Sequence, residues 1–231
     1  MSVLDTATRT ITAIIPIPHR QTWGIALAPN GKTAYIADGD NTVSVLDIAT
    51  RTVTATIPVG KFPSGVAIAP DGTVYVTNVL DHTVSVIGAA SHAVTATIAL
   101  SAEPQGIAVT ANGTEAYIAN REDSSISVIN TATRVVTATV PLPAPTAAHG
   151  IAVTPDGTAA YITGDIDNTV LVVDIATHAV TATIAVGKMP SGIAITPDGH
   201  TAYVTNNMDS TVSVIDTATH TVTATIPVDK R

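Results

Sequence analysis

The sequence predicts an all-β chain in which one unit of four short antiparallel strands recurs, and three observations predict it. The first is composition: 39 Thr, 28 Val and 24 Ile make about two-fifths of the 231 residues β-branched, whereas Glu and Lys, which favour exposed helix, are scarce. The second is repetition. Tyr35, Tyr75, Tyr117, Tyr161 and Tyr203, all the tyrosines of the chain, stand 40, 42, 44 and 42 residues apart. The third is turn chemistry, since an Asn-Gly or Asp-Gly pair precedes each Tyr between two apolar runs, and Gly accepts the positive φ that a tight hairpin needs.

Each unit reads as strands A to D. Strand A begins near Gly24, Gly65, Gly106, Gly150 or Gly192 and carries a short apolar run; the hairpin turn leads into strand B with its Tyr. A polar loop then leads to an alternating strand C, such as Thr211-Val212-Ser213-Val214-Ile215. The turn Asp216-Thr217-Ala218-Thr219 feeds strand D, Val222-Thr223-Ala224-Thr225-Ile226. A period of about 42 residues with four strands per period corresponds to one β-propeller blade. Blades stack face to face, so both faces of strand D need cover, and Thr there is a structural near-isostere of Val. Strands A and B occur five times but the C and D pair six times, because residues 2–15 are an extra copy. The expectation is therefore a single domain with an N-terminal half-blade in residues 1–17 and five full blades in residues 18–231, as an unusual ring or a fragment of a larger one.

Composition also excludes partners. At 45% apolar the chain can bury a sizeable core, but only 12% of it is charged and the net charge is −8, so no basic stripe exists to hold a nucleic acid backbone. No apolar stretch approaches the roughly 20 residues that span a bilayer, so membrane insertion is not expected. Without cysteine there is no disulfide, thiolate metal site or thiol nucleophile. Met1-Ser2-Val3-Leu4-Asp5 has neither the basic start nor the apolar run of a signal peptide, which, for a complete chain, predicts a cytoplasmic protein.

Strand direction locates the candidate site. If strand A is innermost, the D-to-A and B-to-C loops share one rim. The B-to-C loops carry Asp38, Asp40, Asp81, Glu122, Asp123, Asp165, Asp167 and Asp209 against a single Arg121, which predicts a negative face. Asp165-Ile166-Asp167 is the best-spaced pair for a hard cation, although no loop has a regular calcium spacing and neither a metal nor another cofactor is expected. Trp23, Ser64, Gln105, His149 and Ser191 precede the five inner strands and should surround the mouth of a central channel. Two of the D-to-A loops share Gly-Lys-x-Pro-Ser-Gly, while residues 16–24, with Arg20 and the only Trp, and residues 141–150, with His149, abandon it. Loops that leave a repeat are where specificity is built on a common scaffold. The remaining histidines, including His92, His178 and His220 at the start of strand D, read as peripheral and exposed. No residues stand out as catalytic.

Strand B carries a family resemblance. Tyr75-Val76-Thr77-Asn78 and Tyr203-Val204-Thr205-Asn206 match the tetrapeptide of YVTN-family β-propellers, with Tyr35-Ile36-Ala37-Asp38, Tyr117-Ile118-Ala119-Asn120 and Tyr161-Ile162-Thr163-Gly164 as variants. Pro-Ser-Gly at 63–65 and 190–192 and Val-Ser-Val-Ile-Asp at 212–216 extend the likeness along the chain. Gly88 and Gly164 depart from it, in a C-to-D turn and at the end of a strand B. The resemblance implies a bacterial or archaeal propeller at the cell surface or secreted, usually of seven blades, or about 290 residues at this period. Two functions follow. One is a non-catalytic scaffold holding a protein, glycan or small ligand at the acidic rim and channel mouth. The alternative is a hydrolase resembling lactonase-like propellers, with His149, Arg121 and Glu122 supplying acid, base and electrostatic roles. Self-association through the surplus terminal hairpin is a further expectation, because its apolar residues Val3, Ile11, Ile14 and Ile15 need cover.

Overall fold

The computed structural model describes residues 1–5, 7–8, 10–17 and 21–228. It is all-β: five four-stranded antiparallel blades set around an axis, plus a small N-terminal hairpin. The hairpin is β1 (Ser2–Asp5) and β2 (Thr10–Ile14). Blade 1 is β3 (Thr22–Leu27), β4 (Thr33–Asp38), β5 (Thr42–Asp47) and β6 (Thr52–Pro58). Blade 2 is β7 (Pro63–Ile68), β8 (Val74–Asn78), β9 (Thr83–Gly88) and β10 (Ala93–Ala99). Blade 3 is β11 (Pro104–Val109), β12 (Glu115–Asn120), β13 (Ser125–Asn130) and β14 (Val135–Pro141). Blade 4 is β15 (Ala148–Val153), β16 (Ala159–Gly164), β17 (Thr169–Asp174) and β18 (Val180–Ala185). Blade 5 is β19 (Pro190–Ile195), β20 (Thr201–Asn206), β21 (Thr211–Asp216) and β22 (Thr221–Pro227). No helix is long and apolar enough to cross a membrane among the described residues.

The core lies between blades. Tyr161, Val170, Val172 and Ile184 of blade 4 pack on Ala202, Val204 and Ile215 of blade 5, and the same arrangement joins each earlier pair. Each blade thus presents a Tyr flank to its successor and an aliphatic flank to its predecessor. The phenol tips reach the next blade's C-to-D turn: Tyr35 Oη lies 3.3 Å from His92 Nδ1, Tyr117 Oη lies 3.5 Å from His178 Nε2, and Tyr161 packs edge-on against His220. These histidines, expected to be peripheral and exposed, do lie in the outer turns, His92 exposed and His178 and His220 half-buried, and are also ring partners of buried tyrosines in the neighbouring blade.

The inner strands approach one another backbone to backbone. A Cβ on Gly65 would lie 2.6 Å from Gln105 O, and one on Gly106 would lie 2.6 Å from His149 O; Gly24 and Gly150 face Ser64 O and Ser191 O in the same way. Only Gly fits such a contact. In blades 2 and 4 the Thr of strand B clasps the pair, since Thr77 Oγ1 accepts from Gly65 N (2.8 Å) and donates to Gln105 O (2.6 Å), and Thr163 Oγ1 does the same for Gly150 N (2.7 Å) and Ser191 O (2.9 Å). Gly192 breaks the series: a Cβ there meets only Thr205 Oγ1, at 3.2 Å. Among the described residues β3 and β19 do not pack on each other as the other neighbours do, so the ring has a seam between blades 5 and 1. Tyr203, on the seam, is 43% exposed, whereas the other four tyrosines are buried.

The hairpin β1–β2 sits on the blade 1 side of this seam, where Ile15 and Val3 pack with Ala34, Ile36 and Leu46. It does not complete the last unit, whose sheet is finished by β21 and β22. Of the four residues expected to need cover, Val3 and Ile15 thus find it within the chain, while Ile11 and Ile14 do not.

Candidate functional site

The D-to-A and B-to-C loops share a rim, tied by backbone bonds such as Val79 N to Phe62 O (3.0 Å), Arg121 N to Glu103 O (2.9 Å) and Asn207 N to Met189 O (3.0 Å). Below this rim a channel of about 350 Å³ runs between the five inner strands, lined by their glycines and by Trp23, Ser64, His149 and Ser191. A cavity of about 220 Å³ opens at its mouth and brings together Trp23, Ser64, Gln105, Arg121, His149, Asp165 and Ser191, with Phe62, Met189 and Asn207. All five expected mouth residues therefore converge. Arg20 lies outside the described residues, and Glu122 is exposed on the rim and outside the lining of this cavity.

The mouth is amphipathic. Trp23, half-exposed, meets Phe62 in a tilted pair with ring centroids 5.4 Å apart, and Met189 adds a second apolar surface. Phe62 and Met189 occupy the variable position of the two Gly-Lys-x-Pro-Ser-Gly loops, both at positive φ (55° and 53°). Sequence reasoning passed over them because the frame around them repeats; the signal was that x is apolar on a polar rim. Their backbone is pinned from the preceding blade, by Phe62 N donating to Asn41 Oδ1 and Met189 N to Asn168 Oδ1, both at 3.0 Å.

Opposite the aromatic pair, Gln105 Nε2 donates to Glu103 Oε1 (2.8 Å) and its amide oxygen lies 3.4 Å from Ser64 Oγ. Burial lowers the pKa of His149, with the Asp165 carboxylate opposing and the Arg121 guanidinium reinforcing the shift, so the ring is neutral at pH 7. Arg121 pairs with Asp165 across blades through Nε and Nη2, both at 3.1 Å. The two charged residues that line the cavity, Arg121 and Asp165, are thus matched.

The acidic face is less uniform than its composition implied. Asp38 is buried, not displayed: it holds the place of Asn78, Asn120 and Asn206 at the end of strand B and accepts from Ser44 Oγ at 2.6 Å. In the Asn blades the amide donates instead, as Asn78 Nδ2 does to Thr83 Oγ1 and Ser85 Oγ, both at 2.9 Å. Asp40, Asp81, Asp123 and Asp209 are exposed. Two of these accept from loop backbones, Asp81 from Lys61 N and Asp209 from Lys188 N (each 2.8 Å), and Asp123 accepts from Ser125 Oγ (2.7 Å).

Asp165 and Asp167, the best-spaced pair for a cation, are engaged separately. Asp165 holds Arg121, while Asp167 accepts from Thr169 Oγ1 (2.8 Å) and Thr146 Oγ1 (3.2 Å). Among the described residues no three His, Asp or Glu side chains are grouped as a metal ion would need.

The comparisons with known proteins agree on the fold. Residues 107–198 match the family model of YNCE-like β-propellers. No curated protein matches the chain. Among solved structures it is similar to Kuenenia stuttgartiensis hydrazine synthase at 25% identity, covering 95% of this chain and 69% of that one with a TM-score of 0.80. The chain is a β-propeller of five blades, similar over its third and fourth blades and the first strand of the fifth to the YNCE-like group.

Proposed function

We propose that the protein is a binding scaffold that holds a small uncharged ligand at the channel mouth, with the apolar face of the ligand on Trp23, Phe62 and Met189 and its polar edge toward His149, Gln105 and Asn207. One observation carries this reading: the two loops that leave the repeat bring Trp23 and His149 to one cavity, whose imidazole is neutral and whose charged lining residues, Arg121 and Asp165, pair with each other. Ligand sites combine such an apolar lining with a few placed polar groups. At about 220 Å³ the cavity suits a single ring or side chain. The resemblance of strand B to YVTN-family propellers, many of which are surface proteins without established activity, accords with a scaffold.

Trp23 is the only Trp, so its emission reports the site directly. Titration with a panel of neutral sugars, amides and aromatic amides should give a saturable change in emission with at least one class. The same ligand should lose affinity by at least tenfold in His149→Ala and Phe62→Ala when binding is followed by calorimetry. A ligand that binds tightly yet leaves both variants and the emission unaffected would place the site elsewhere.

A hydrolytic reading draws on the neutral imidazole of His149, which could accept a proton beside Arg121. Glu122 stands outside that cavity, so the acid would have to come from another group. Turnover of simple lactones that disappears in His149→Ala would favour it over the scaffold.

A further inference from the structure

The rim around the mouth carries apolar side chains on the tips of its B-to-C loops. Counted from the end of strand B, the second loop residue is Leu80 in blade 2, Ile166 in blade 4 and Met208 in blade 5, with Glu122 in blade 3. The three apolar tips are 67%, 57% and 69% exposed. Blades 2 and 4 have a packed neighbour on both sides, so the seam does not cause this exposure. The opposite rim differs: among the described residues, none of the A-to-B or C-to-D turns of the five blades bears an exposed large apolar side chain.

Two of the tips are clasped to the rim. Leu80 N donates to Lys61 O and Met208 N to Lys188 O, both at 3.2 Å, while Asp81 and Asp209 accept in return from Lys61 N and Lys188 N. Each tip is thereby tied to the D-to-A loop that carries Phe62 or Met189. A single exposed apolar residue is ordinary, but here one loop position is used three times on the rim that also holds Trp23, Phe62 and Met189. Side chains fixed there gain burial only from another molecule.

The charge pattern selects that molecule. An aspartate directly follows each apolar tip: Asp81, Asp167 and Asp209. Of the basic residues described on these loops, Arg121 is bound to Asp165 and Lys61 lies 3.9 Å from Asp81. Carboxylates beside the tips repel an anionic bilayer, and two such rims repel each other. We propose that this rim docks a cationic amphipathic segment of another protein, whose aliphatic side chains cover Leu80, Ile166 and Met208 while its lysines or arginines meet the adjacent aspartates. Opposite charge speeds the encounter, and the apolar contacts hold the complex. None of the three tips lines the mouth cavity, so this surface stands apart from the small-ligand site.

The test follows, by calorimetry, binding of the full chain to a synthetic helical peptide with leucine on one face and lysine on the other. Two control peptides replace its lysines by glutamate or its leucines by serine. The leucine-lysine peptide should bind saturably and at least about tenfold more tightly than either control. Leu80→Ser, Ile166→Ser and Met208→Ser together should weaken it by at least about tenfold. Asp81→Asn with Asp209→Asn keeps an acceptor oxygen for the lysine backbones but removes the charge, so affinity should fall at low salt and vary less with salt than the parent's. All five positions are exposed, and circular dichroism and melting check each fold. If the serine variant does not fold, the three peptides on the parent decide the matter. Absence of saturable binding, equal binding of the glutamate peptide, or a folded serine variant that binds as the parent does would each overturn the proposal. So would binding of the parent to phosphatidylcholine vesicles, or its self-association in sedimentation, if the serine variant loses it, because the occupant would then be a bilayer or a second copy.

Discussion

Asp167 occupies the space that Gly164 leaves empty. In blades 2, 3 and 5 an Asn at the end of strand B donates to two hydroxyls of strand C; blade 4 has Gly164 there. A Cβ on Gly164 would run into Asp167 Oδ1 and would lie 2.8 Å from Thr146 Cγ2. The carboxylate takes over the missing amide's place and binds Thr169 and Thr146 from the loop side. Asp167→Ala should therefore destabilise the protein by about 1–3 kcal/mol, as a lost pair of hydrogen bonds to a charged acceptor. Urea unfolding measures it. Gly164→Asn should also be harmful alone and less harmful combined with Asp167→Ala, which vacates the same space.

The inner-strand glycines allow a sharper comparison. Gly106→Ala forces a methyl against His149 O and should cost about 1–3 kcal/mol or prevent folding, in line with other overpacked sites. Gly192→Ala, in the equivalent position beside the seam, should cost under about 1 kcal/mol. Equal effects of the two in thermal melts would mean that the inner strands close around the axis in solution.

The threonine clasps should follow the same pattern. Thr77→Val and Thr163→Val each remove a donor to the next blade and should cost about 0.5–1.5 kcal/mol. Thr205→Val should cost less, because among the described residues Thr205 Oγ1 serves only Gly192 and Ser191 of its own blade. Chemical denaturation of the three variants under one set of conditions decides it.

Acid should act in two stages. Burial holds the folded pKa of His149 below its unfolded value of about 6.5, so the stability it contributes is complete above that pH and is lost as the pH falls toward the folded pKa. The turn carboxylates follow. Backbone and hydroxyl bonds from Thr50 depress Asp47, the Thr177 hydroxyl and backbone depress Asp174, and Thr219 does the same for Asp216. Their contribution is present above about pH 3.9 and is lost as the pH falls through their lower folded values. Melting temperatures measured from pH 8 to pH 2 should decline in both ranges. His149→Gln should flatten only the first.

The repeat arithmetic made the blades, the strand order and the shared rim legible, because period, Asn-Gly turns and inner glycines are local signals that agree with one another. It also brought Trp23, Gln105, His149 and Arg121 toward one mouth. The sequence was weaker where a residue's role depends on its counterpart in another blade. Asp38 reads as a loop acid until it is placed in register with Asn78, whereupon its burial follows. Asp167 reads as a cation ligand until the side chain missing from Gly164 is seen beside it. Phe62 and Met189 were hidden because they vary inside a frame that does not.

The Tyr flanks also give the chain a direction in time. In blades 1 to 4 strand B places its Tyr on the side that faces the blade to be made next, and for Tyr35, Tyr117 and Tyr161 that blade's C-to-D turn supplies the ring or carbonyl that meets the phenol. During synthesis from the N-terminus every finished blade therefore waits with a greasy, phenol-bearing surface until roughly one more repeat has left the ribosome. The growing protein repeatedly buries one such surface and exposes another, and among the described residues the last such surface belongs to Tyr203. A translational pause within a repeat would prolong the exposure of the flank before it, so the intermediate most prone to capture by a chaperone is any chain halted between a strand B and the following strand C.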